Sequence, residues 1–459
     1  MNKVIKLKKG LDIELPGAAA KETGSICRPE VYSIVPDHFA GITPKMDVKE
    51  GDRVKAGDVL FHAKQFAQLR IASPVSGIVK AIVRGERRKI MSIDIQSDST
   101  IEYKKFDLDL QTLSGEELKQ AVQEAGLWYL IKQRPYDCIA NPEKQPKAVF
   151  VSSFDSAPLA PDYEYILAGE TAALQAGITA LAKMAGQPVN LGIRYGAAAT
   201  QFRHLKDVEI TEFAGPHPAG NVGVQINHVN PVNKDEVVWT VNPQDVVILG
   251  RLFTKGVVDL QKLVALTGPL VVEPKYYKVL PGMSVSTIFH CNVRKELPVR
   301  YIAGNVLSGH QVTLDEMISP YDNQFTAIDE GTETHEFMGW AMPRFDKFSA
   351  GRTLFTKYFE SGFRKYFFGK KEFDWDARLL GGRRAIIVSG EYDKVFPMDI
   401  YPEYLIKAMI AGNLDKMEQL GAYEVAPEDF ALCEFVCTSK LPLQAIVRKA
   451  LDNMKSELE

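Results

Sequence analysis

No stretch of this chain stays apolar for the ~18 residues that a membrane-spanning helix needs. The most apolar helix-like run, Tyr163 to Ala185, is interrupted by Glu164, Glu170 and Lys183, so no part of the chain is expected to cross a bilayer. The N-terminus, MNKVIKLKKGLDIELPGAAA, interleaves Lys6, Lys8 and Lys9 with its apolar residues and leaves no continuous signal-peptide core. Export is not expected. Cysteine is scarce: Cys27, Cys138, Cys291, Cys433 and Cys437 are five in number and mostly isolated. That pattern argues against a disulfide framework and fits a reduced, cytoplasmic compartment. Also missing are a G-x-G-x-x-G after a strand and a G-x-x-x-x-G-K-[ST] anywhere, without which backbone N–H groups cannot closely approach a pyrophosphate. Dinucleotide binding by this chain alone is therefore not expected. Internal repeats and low-complexity linkers are absent, and a net charge of −3 gives no global attraction to nucleic acid.

What is present is an ordinary globular composition, 46% hydrophobic and 25% charged over 459 residues. Single cores stop growing near ~250–300 residues, so three or four domains are expected. From about Pro29 to Ser97 short strands alternate with turn signals such as Gly51-Asp52, Gly57-Asp58 and Ser73-Pro74, which predicts a small all-β module. Ser114-Gly-Glu-Glu117 has the form of a helix N-cap with an acidic first turn, opening a helix to about Gly126. A strand over Ala148 to Val151, an Ala/Leu-rich helix ending near Gly186 and a strand over Val189 to Arg194 form a βαβ unit. Val208 to Phe213 and Val246 to Leu249 supply further strand candidates, so Leu127 to about Gly250 is expected to be an α/β domain. Between Gly256 and Glu330 the pattern returns to β, with strand candidates at Pro269 to Glu273, Ser286 to His290, Val299 to Ile302 and Phe325 to Asp329. Helices are expected to begin near Pro402 and Pro427.

Four features invite chemistry. Gly51 to Glu86 looks like the biotinyl/lipoyl barrel-sandwich hairpin, with Leu60, Ile71, Val79 and Ile82 as its core. Lys64 is the only candidate for a modified lysine at its tip. The Met flanks of biotin carriers and the Asp-Lys-Ala of lipoyl carriers are both absent, and Lys64 lies too far from Pro74, so structural use of the fold is favoured over a live carrier. Cys433 and Cys437, spaced C-x₃-C, provide two thiolates where a tetrahedral metal needs four ligands, so two ordinary helix cysteines are the favoured reading. His217, in GPHPAGN, and the pair His290-Cys291 belong more naturally to turns than to catalysis. Between Arg352 and Arg384, nine basic residues stand against four acidic ones, interleaved with nine aromatic residues. That mixture suits a partner-facing or headgroup-level surface, and a solvated basic face over an aromatic core is the competing reading. Arg364, Lys365, Phe367, Phe368, Lys370 and Lys371 are its docking candidates.

Several segments, in order, carry a resemblance: IKLKKGLDIELPGA (Ile5 to Ala18), IASPVSGIV (Ile71 to Val79), GPHPAGNVGVQINHVNPV (Gly215 to Val232), RYIAGNVLSGHQV (Arg300 to Val312) and YDNQFTAIDEGTETHEFMGWAMPRFDKFS (Tyr321 to Ser349). Over essentially its whole length the chain resembles the A-subunit family of bacterial Na⁺-translocating NADH:quinone oxidoreductases. That family is similar in layout to the C subunit of Rnf complexes and the flavin-binding subunit of complex I. The resemblance implies an α+β, α/β multi-domain chain. Its parts would be an N-terminal extended segment (1–28), a barrel-sandwich module (29–100), a Rossmann-like domain (101–255), an SLBB-type β-grasp domain (256–330) and a largely helical C-terminal region (331–459).

Departures from the relatives are equally informative. Where flavin-binding relatives carry a GGAGF-type loop, this chain has GLWYLIKQRPYDC, Gly126 to Cys138, whose bulky side chains are expected to block close backbone approach. Counting back from Cys433 and Cys437, the first two positions of an Rnf-type cluster motif fall on Pro427 and Phe430, which cannot bind iron. The resemblance therefore implies a peripheral subunit on the cytoplasmic face of the inner membrane, with no cofactor of its own and no nominated catalytic, cofactor-binding or metal-binding residue. FMN, FAD and iron–sulfur would reside on sister subunits. Its partners would be the other five subunits, B to F, chiefly the membrane-embedded B, with a quinone at that boundary and no nucleic acid. The alternative is a stand-alone subunit with its own FMN and iron–sulfur cluster.

Overall fold

The computed structural model describes residues 3–197, 200–290, 292–294, 296–332, 348, 372–373 and 375–458. Its centre is a seven-stranded sheet. The strands run in the order Lys3–Lys6, Val208–Ala214, Val189–Arg194, Ala148–Ser152, Val238–Thr240, Lys132–Arg134 and Cys138–Ile139. The first five are parallel and the last two antiparallel. Ala148–Ser152 is covered on both faces, as parallel strands require. Its Val149 and Val151 join one apolar core, while Ala148 and Phe150 join another.

Two helices, Thr171–Ala185 and Pro243–Lys255, cross on the first face at very close range. A Cβ on Gly250 would lie 1.7 Å from the Ala173 carbonyl oxygen, and one on Gly177 would lie 2.1 Å from that of Val246. Val246 to Leu249, expected as a strand, is thus the middle of a helix. Asn242 caps that helix, its side-chain oxygen accepting from the Gln244 N–H at 3.0 Å, and Pro243 occupies the first turn. The four-residue apolar run is too short to show a helical period by itself. The run from Tyr163 to Ala185 is likewise two helices, Tyr163–Ile166 and Thr171–Ala185.

The barrel-sandwich module pairs a four-stranded sheet (Val31–Ile34, Ile90–Ser97, Gly77–Arg84, Arg53–Val54) with a three-stranded one (Pro44–Met46, Val59–Ala63, Arg70–Ala72). Leu60, Ile71 and Val79 are buried between them, and Ile82 is partly buried against the same core. Gly51 and Gly57 take left-handed φ values of 89° and 96°. In each case the following aspartate closes the turn, Asp52 accepting from the Lys49 N–H and Asp58 from the Lys55 N–H.

A six-stranded mixed sheet forms the β-grasp part. Its order is His310–Gln311, Val299–Ala303, Gln324–Asp329, Lys262–Thr267, Lys275–Val279 and Ala20–Gly24. Two strand expectations fail here. Pro269 to Glu273 makes only an isolated bridge, Val271 to Val293. Ser286 to His290 contains a short helix, Ser286–Phe289, because Ser284 Oγ accepts from the Ser286 N–H and turns the chain. The N-terminal segment ties the domains together: Lys3–Lys6 edges the seven-stranded sheet and Ala20–Gly24 edges the β-grasp sheet.

The C-terminal region places Tyr392–Val395, Pro402–Ala411, Leu414–Gln419, Ala431–Val436 and Leu443–Leu458 on the second face of the seven-stranded sheet. In Leu443–Leu458 the buried residues Leu443, Val447, Ala450, Leu451 and Met454 form a helical stripe. No helix among the described residues is long and apolar enough to cross a membrane.

Candidate functional site

The sheet has a switch point. The chain lays Val189–Arg194 and Val208–Ala214 successively to one side of Ala148–Ser152, then returns to put Val238–Thr240 on its other side. The connecting helices leave on opposite faces, so a crevice opens beyond the carboxyl ends of these strands, where doubly wound sheets place their ligands. It encloses about 270 Å³ and is lined by Ser152, Asp155, Asn221, Thr240 and Asn242 from the strand ends and helix starts. The segment between Leu130 and Asp137 supplies Lys132, Arg134 and Asp137, the loop ahead of the last β-grasp strand supplies Tyr321 and Asn323, and the C-terminal region supplies Glu428.

Charge dominates this crevice. Arg134 is 1% exposed and donates from Nη2 to Glu428 Oε1 at 3.1 Å, with Nη1 3.4 Å from Asp137 Oδ1. Its Nε and Nη1 have no hydrogen-bond partner among the described residues. Asp429 lies against the first turn of the helix Val222–Val229: a Cβ on Gly223 would stand 2.5 Å from Asp429 Oδ1. Its other oxygen accepts from the Ala426 N–H at 2.8 Å. The cap residue Asn221 makes no side-chain bond to that helix, and Asp429 Oδ1 accepts no hydrogen bond among the described residues.

Burial pushes the Asp429 carboxyl up to about 6, with Arg134 opposing. Glu428 is raised for the same reason, and Arg134 again opposes. Its side chain keeps 41% of its surface at the crevice mouth, so the deeper Asp429 is the more strongly constrained of the two. Burial would also raise Asp137, yet Arg134, Lys132 and Arg448 outweigh it and hold that carboxyl below the usual range. On the β-grasp side, Lys262 Nζ lies 2.5 Å from Asp245 Oδ1, both side chains being 5% exposed or less. The same ammonium donates to the Pro320 carbonyl. Tyr321 donates its hydroxyl to the Tyr129 carbonyl at 2.9 Å, and Lys132 Nζ stands 4.6 Å above its ring. The crevice is therefore a junction of three domains.

Of the bulky residues of Gly126 to Cys138, Leu130 lines this crevice, while most of the others are buried elsewhere. Trp128, Tyr129 and Ile131 lie in the core under the barrel-sandwich module, where Trp128 donates to the Ala140 carbonyl at 2.7 Å and meets Trp239 edge-on. The segment contributes charge to the crevice as well. Arg134, Glu428 and Asp429 were not singled out from sequence. Their only signal was a set of charges inside otherwise apolar runs, and the partners are 294 residues apart.

His217 is 4% exposed, and burial pushes its imidazole below the usual histidine range against Asp155 and Asp12. His217 Nδ1 and the Ser156 hydroxyl are hydrogen-bonded at 2.9 Å, while Ser156 Oγ accepts from the Gly220 N–H. This histidine locks a loop. His290 is exposed, and Cys291 lies outside the described residues. Cys433 and Cys437 are both buried. Burial raises the Cys433 thiol, and Tyr392 donates to Cys437 Sγ at 2.9 Å. Phe430 lies wholly in the core. Lys64 is exposed at the start of the loop between Val59–Ala63 and Arg70–Ala72. Arg364, Lys365, Phe367, Phe368, Lys370 and Lys371 lie outside the described residues.

Three family models match the chain: NqrA N-terminal barrel-sandwich hybrid domain over residues 5–98, NqrA second alpha/beta domain over 113–258, and NQRA C-terminal domain over 263–313. The chain is 35% identical over 463 residues to the A subunit of the Na(+)-translocating NADH-quinone reductase of Haemophilus influenzae (strain PittEE), covering 99% of this chain and 100% of that one. It is 35% identical over 458 residues to the protein of the same name from Yersinia pestis bv. Antiqua (strain Angola), with the same coverage. Among solved structures, an NAD⁺-reducing [NiFe]-hydrogenase in its H₂-reduced state aligns at a TM-score of 0.36 and 13% identity, covering 76% of this chain and 64% of that one.

Proposed function

Because the chain belongs to the A-subunit family of Na(+)-translocating NADH-quinone reductases, and so to a multi-subunit translocase, we propose that it serves that enzyme as a scaffold without electron carriers of its own. In this reading it sits on the cytoplasmic face of the membrane, docked on subunits B to F, chiefly the membrane-embedded B. It takes part in quinone reduction coupled to sodium export by shaping the quinone's boundary, while FMN, FAD and iron–sulfur centres reside on its sisters. The sequence candidate for docking is Arg364, Lys365, Phe367, Phe368, Lys370 and Lys371.

The observation that carries the reading is the occupant of the switch-point crevice. A flavin or dinucleotide phosphate bound there would be seated by a cation and a helix N-terminus. Here Glu428 accepts from that cation, Arg134, and Asp429 is buried beside the first turn of that helix, its Oδ1 accepting no hydrogen bond among the described residues. A phosphate would meet charges of its own sign, so the residues present do not fit it. For an iron–sulfur centre, Pro427 and Phe430 offer no donor atoms, and the buried Cys433 thiol resists the deprotonation a metal requires.

Titrating the purified full chain with FMN and with NADH, and following flavin fluorescence and calorimetric heat, tests this directly. No saturable binding is expected. A chain that purifies coloured, or one that binds either ligand saturably and loses it on Arg134→Met, would overturn the reading.

A further inference from the structure

We infer that the segment Arg383–Val388, which forms no helix or strand of its own, receives an added β-strand from another subunit of the complex. The inference rests on the reading of this chain as a docked subunit; it names the contact. Two buried side chains pin the segment at both ends. At one end the Arg384 N–H donates to the Ser439 carbonyl at 2.9 Å, and the Ser439 hydroxyl donates to the Ala385 carbonyl at 2.8 Å. At the other, Glu403 Oε1 accepts from the Ser389 N–H at 2.9 Å, the Ser389 hydroxyl at 3.0 Å and the Gly390 N–H at 3.1 Å. Between these pins, among the described residues, no hydrogen bond reaches the main chain of Ile386, Ile387 or Val388.

The side chains suit an incoming strand. Ile386 packs into the C-terminal core, while Ile387 and Val388 are 59% and 52% exposed. Two β-branched residues are thus held at the surface on a fixed backbone. Tyr401 and Tyr404, 70% and 56% exposed, flank in sequence the Glu403 that holds Ser389. Natural edge strands are protected by lysine, proline or a bulge, and Ala385–Val388 contains none of the first two.

The occupant follows from the same features. Free N–H and C=O groups call for another main chain, which lipid hydrocarbon cannot supply. Ile387 calls for apolar residues at alternate positions of that chain. Arg383 and Arg384 are exposed and have no carboxylate partner among the described residues. They call for Asp or Glu beside the apolar positions. The partner is therefore an acidic, alternately apolar segment that becomes a strand on binding.

Hydrogen exchange by mass spectrometry, on the isolated full chain and on the complex purified from native membranes, reads the contact. The amides of Ile386, Ile387 and Val388 should exchange at least about tenfold more slowly in the complex. The double variant Ile387→Lys/Val388→Lys places the natural edge-blocking residue on the strand. It should keep the wild-type circular dichroism and lower recovery of this chain with its partners severalfold. Equal exchange rates in a complex that contains this chain overturn the inference while leaving the docked-subunit reading intact. Protection already present in the isolated chain, through a second copy, also overturns it. A chain that never co-purifies with other subunits defeats the reading itself and this inference with it.

Discussion

The switch-point crevice and the barrel-sandwich loop are both places where similar folds hold a prosthetic group, and this chain treats them in opposite ways. In the crevice, Arg134 is answered by the chain's own Glu428 and Asp137. At the loop, Lys64 stands exposed with nothing built around it. Burial accounts for the difference. A guanidinium that is 1% exposed cannot be left without counter-charge, because an unpaired buried ion costs several kcal/mol. An exposed ammonium is solvated by water and needs no replacement partner. If the proposed cofactor-free reading holds, a site inside the fold has to supply its own counter-charges, whereas a site on the surface can simply lack its recognition residues.

Removing the cation is the hardest test of that contrast. Arg134→Met leaves Asp137, Glu428 and Asp429 facing one another without their shared counter-charge. A loss of about 3 kcal/mol or more is expected at neutral pH, the usual cost of breaking a buried pair. The loss should shrink on acidification, as the carboxyls neutralise. Urea unfolding at pH 7 and pH 5 measures both. An equal loss at the two pH values would mean that Arg134 matters for its packing alone.

The next effect is smaller and opposite in sign. The Asp429 carboxyl, raised to about 6 in the fold, has an unfolded value near ~3.9. The folded state therefore binds more protons between these values. The contribution of Asp429 is full below about 4 and is lost as pH rises through about 6. Asp429→Asn removes that dependence and retains an oxygen for the Ala426 N–H. Relative to wild type, the variant should gain up to about 2–3 kcal/mol at pH 8 and little at pH 4. Parallel thermal melts at the two pH values decide it, and a variant destabilised equally at both would show the carboxylate to be favourable where it stands.

The same contrast explains what could be read in advance. The barrel-sandwich module was legible because its signals are local. Gly51-Asp52 and Gly57-Asp58 each close a turn within a few residues, and Leu60, Ile71 and Val79 each fall on a separate short strand and face the same core. The fold class and the family were legible from motif order. The crevice was not, since Arg134 and Glu428 meet only after the C-terminal region packs on the second face of the sheet. Val246 to Leu249 was misread for a related reason: four consecutive apolar residues show no period by themselves, and the decisive signal, Asn242-Pro243, lay outside the run. Gly126 to Cys138 was read as bulk, but most of its bulk went into the core and its charge into the crevice.

The smallest effect belongs to the loop. Lys64 is exposed, and only its main-chain N–H is bonded, to the Thr43 carbonyl at 2.8 Å. Lys64→Arg keeps the charge while removing the primary amine that a biotin or lipoyl ligase would acylate. Surface substitutions of this kind stay within about 0.5 kcal/mol, so the melting curve should be unchanged. Assembly and activity of the complex should also be unchanged if the module is structural. Intact-mass measurement of the wild-type chain, produced in cells that contain both ligases, is the sharper readout. The mass should equal that of the bare polypeptide. An added biotinyl or lipoyl mass that disappears in Lys64→Arg would make the loop a working carrier, and the contrast with the refilled crevice would fail.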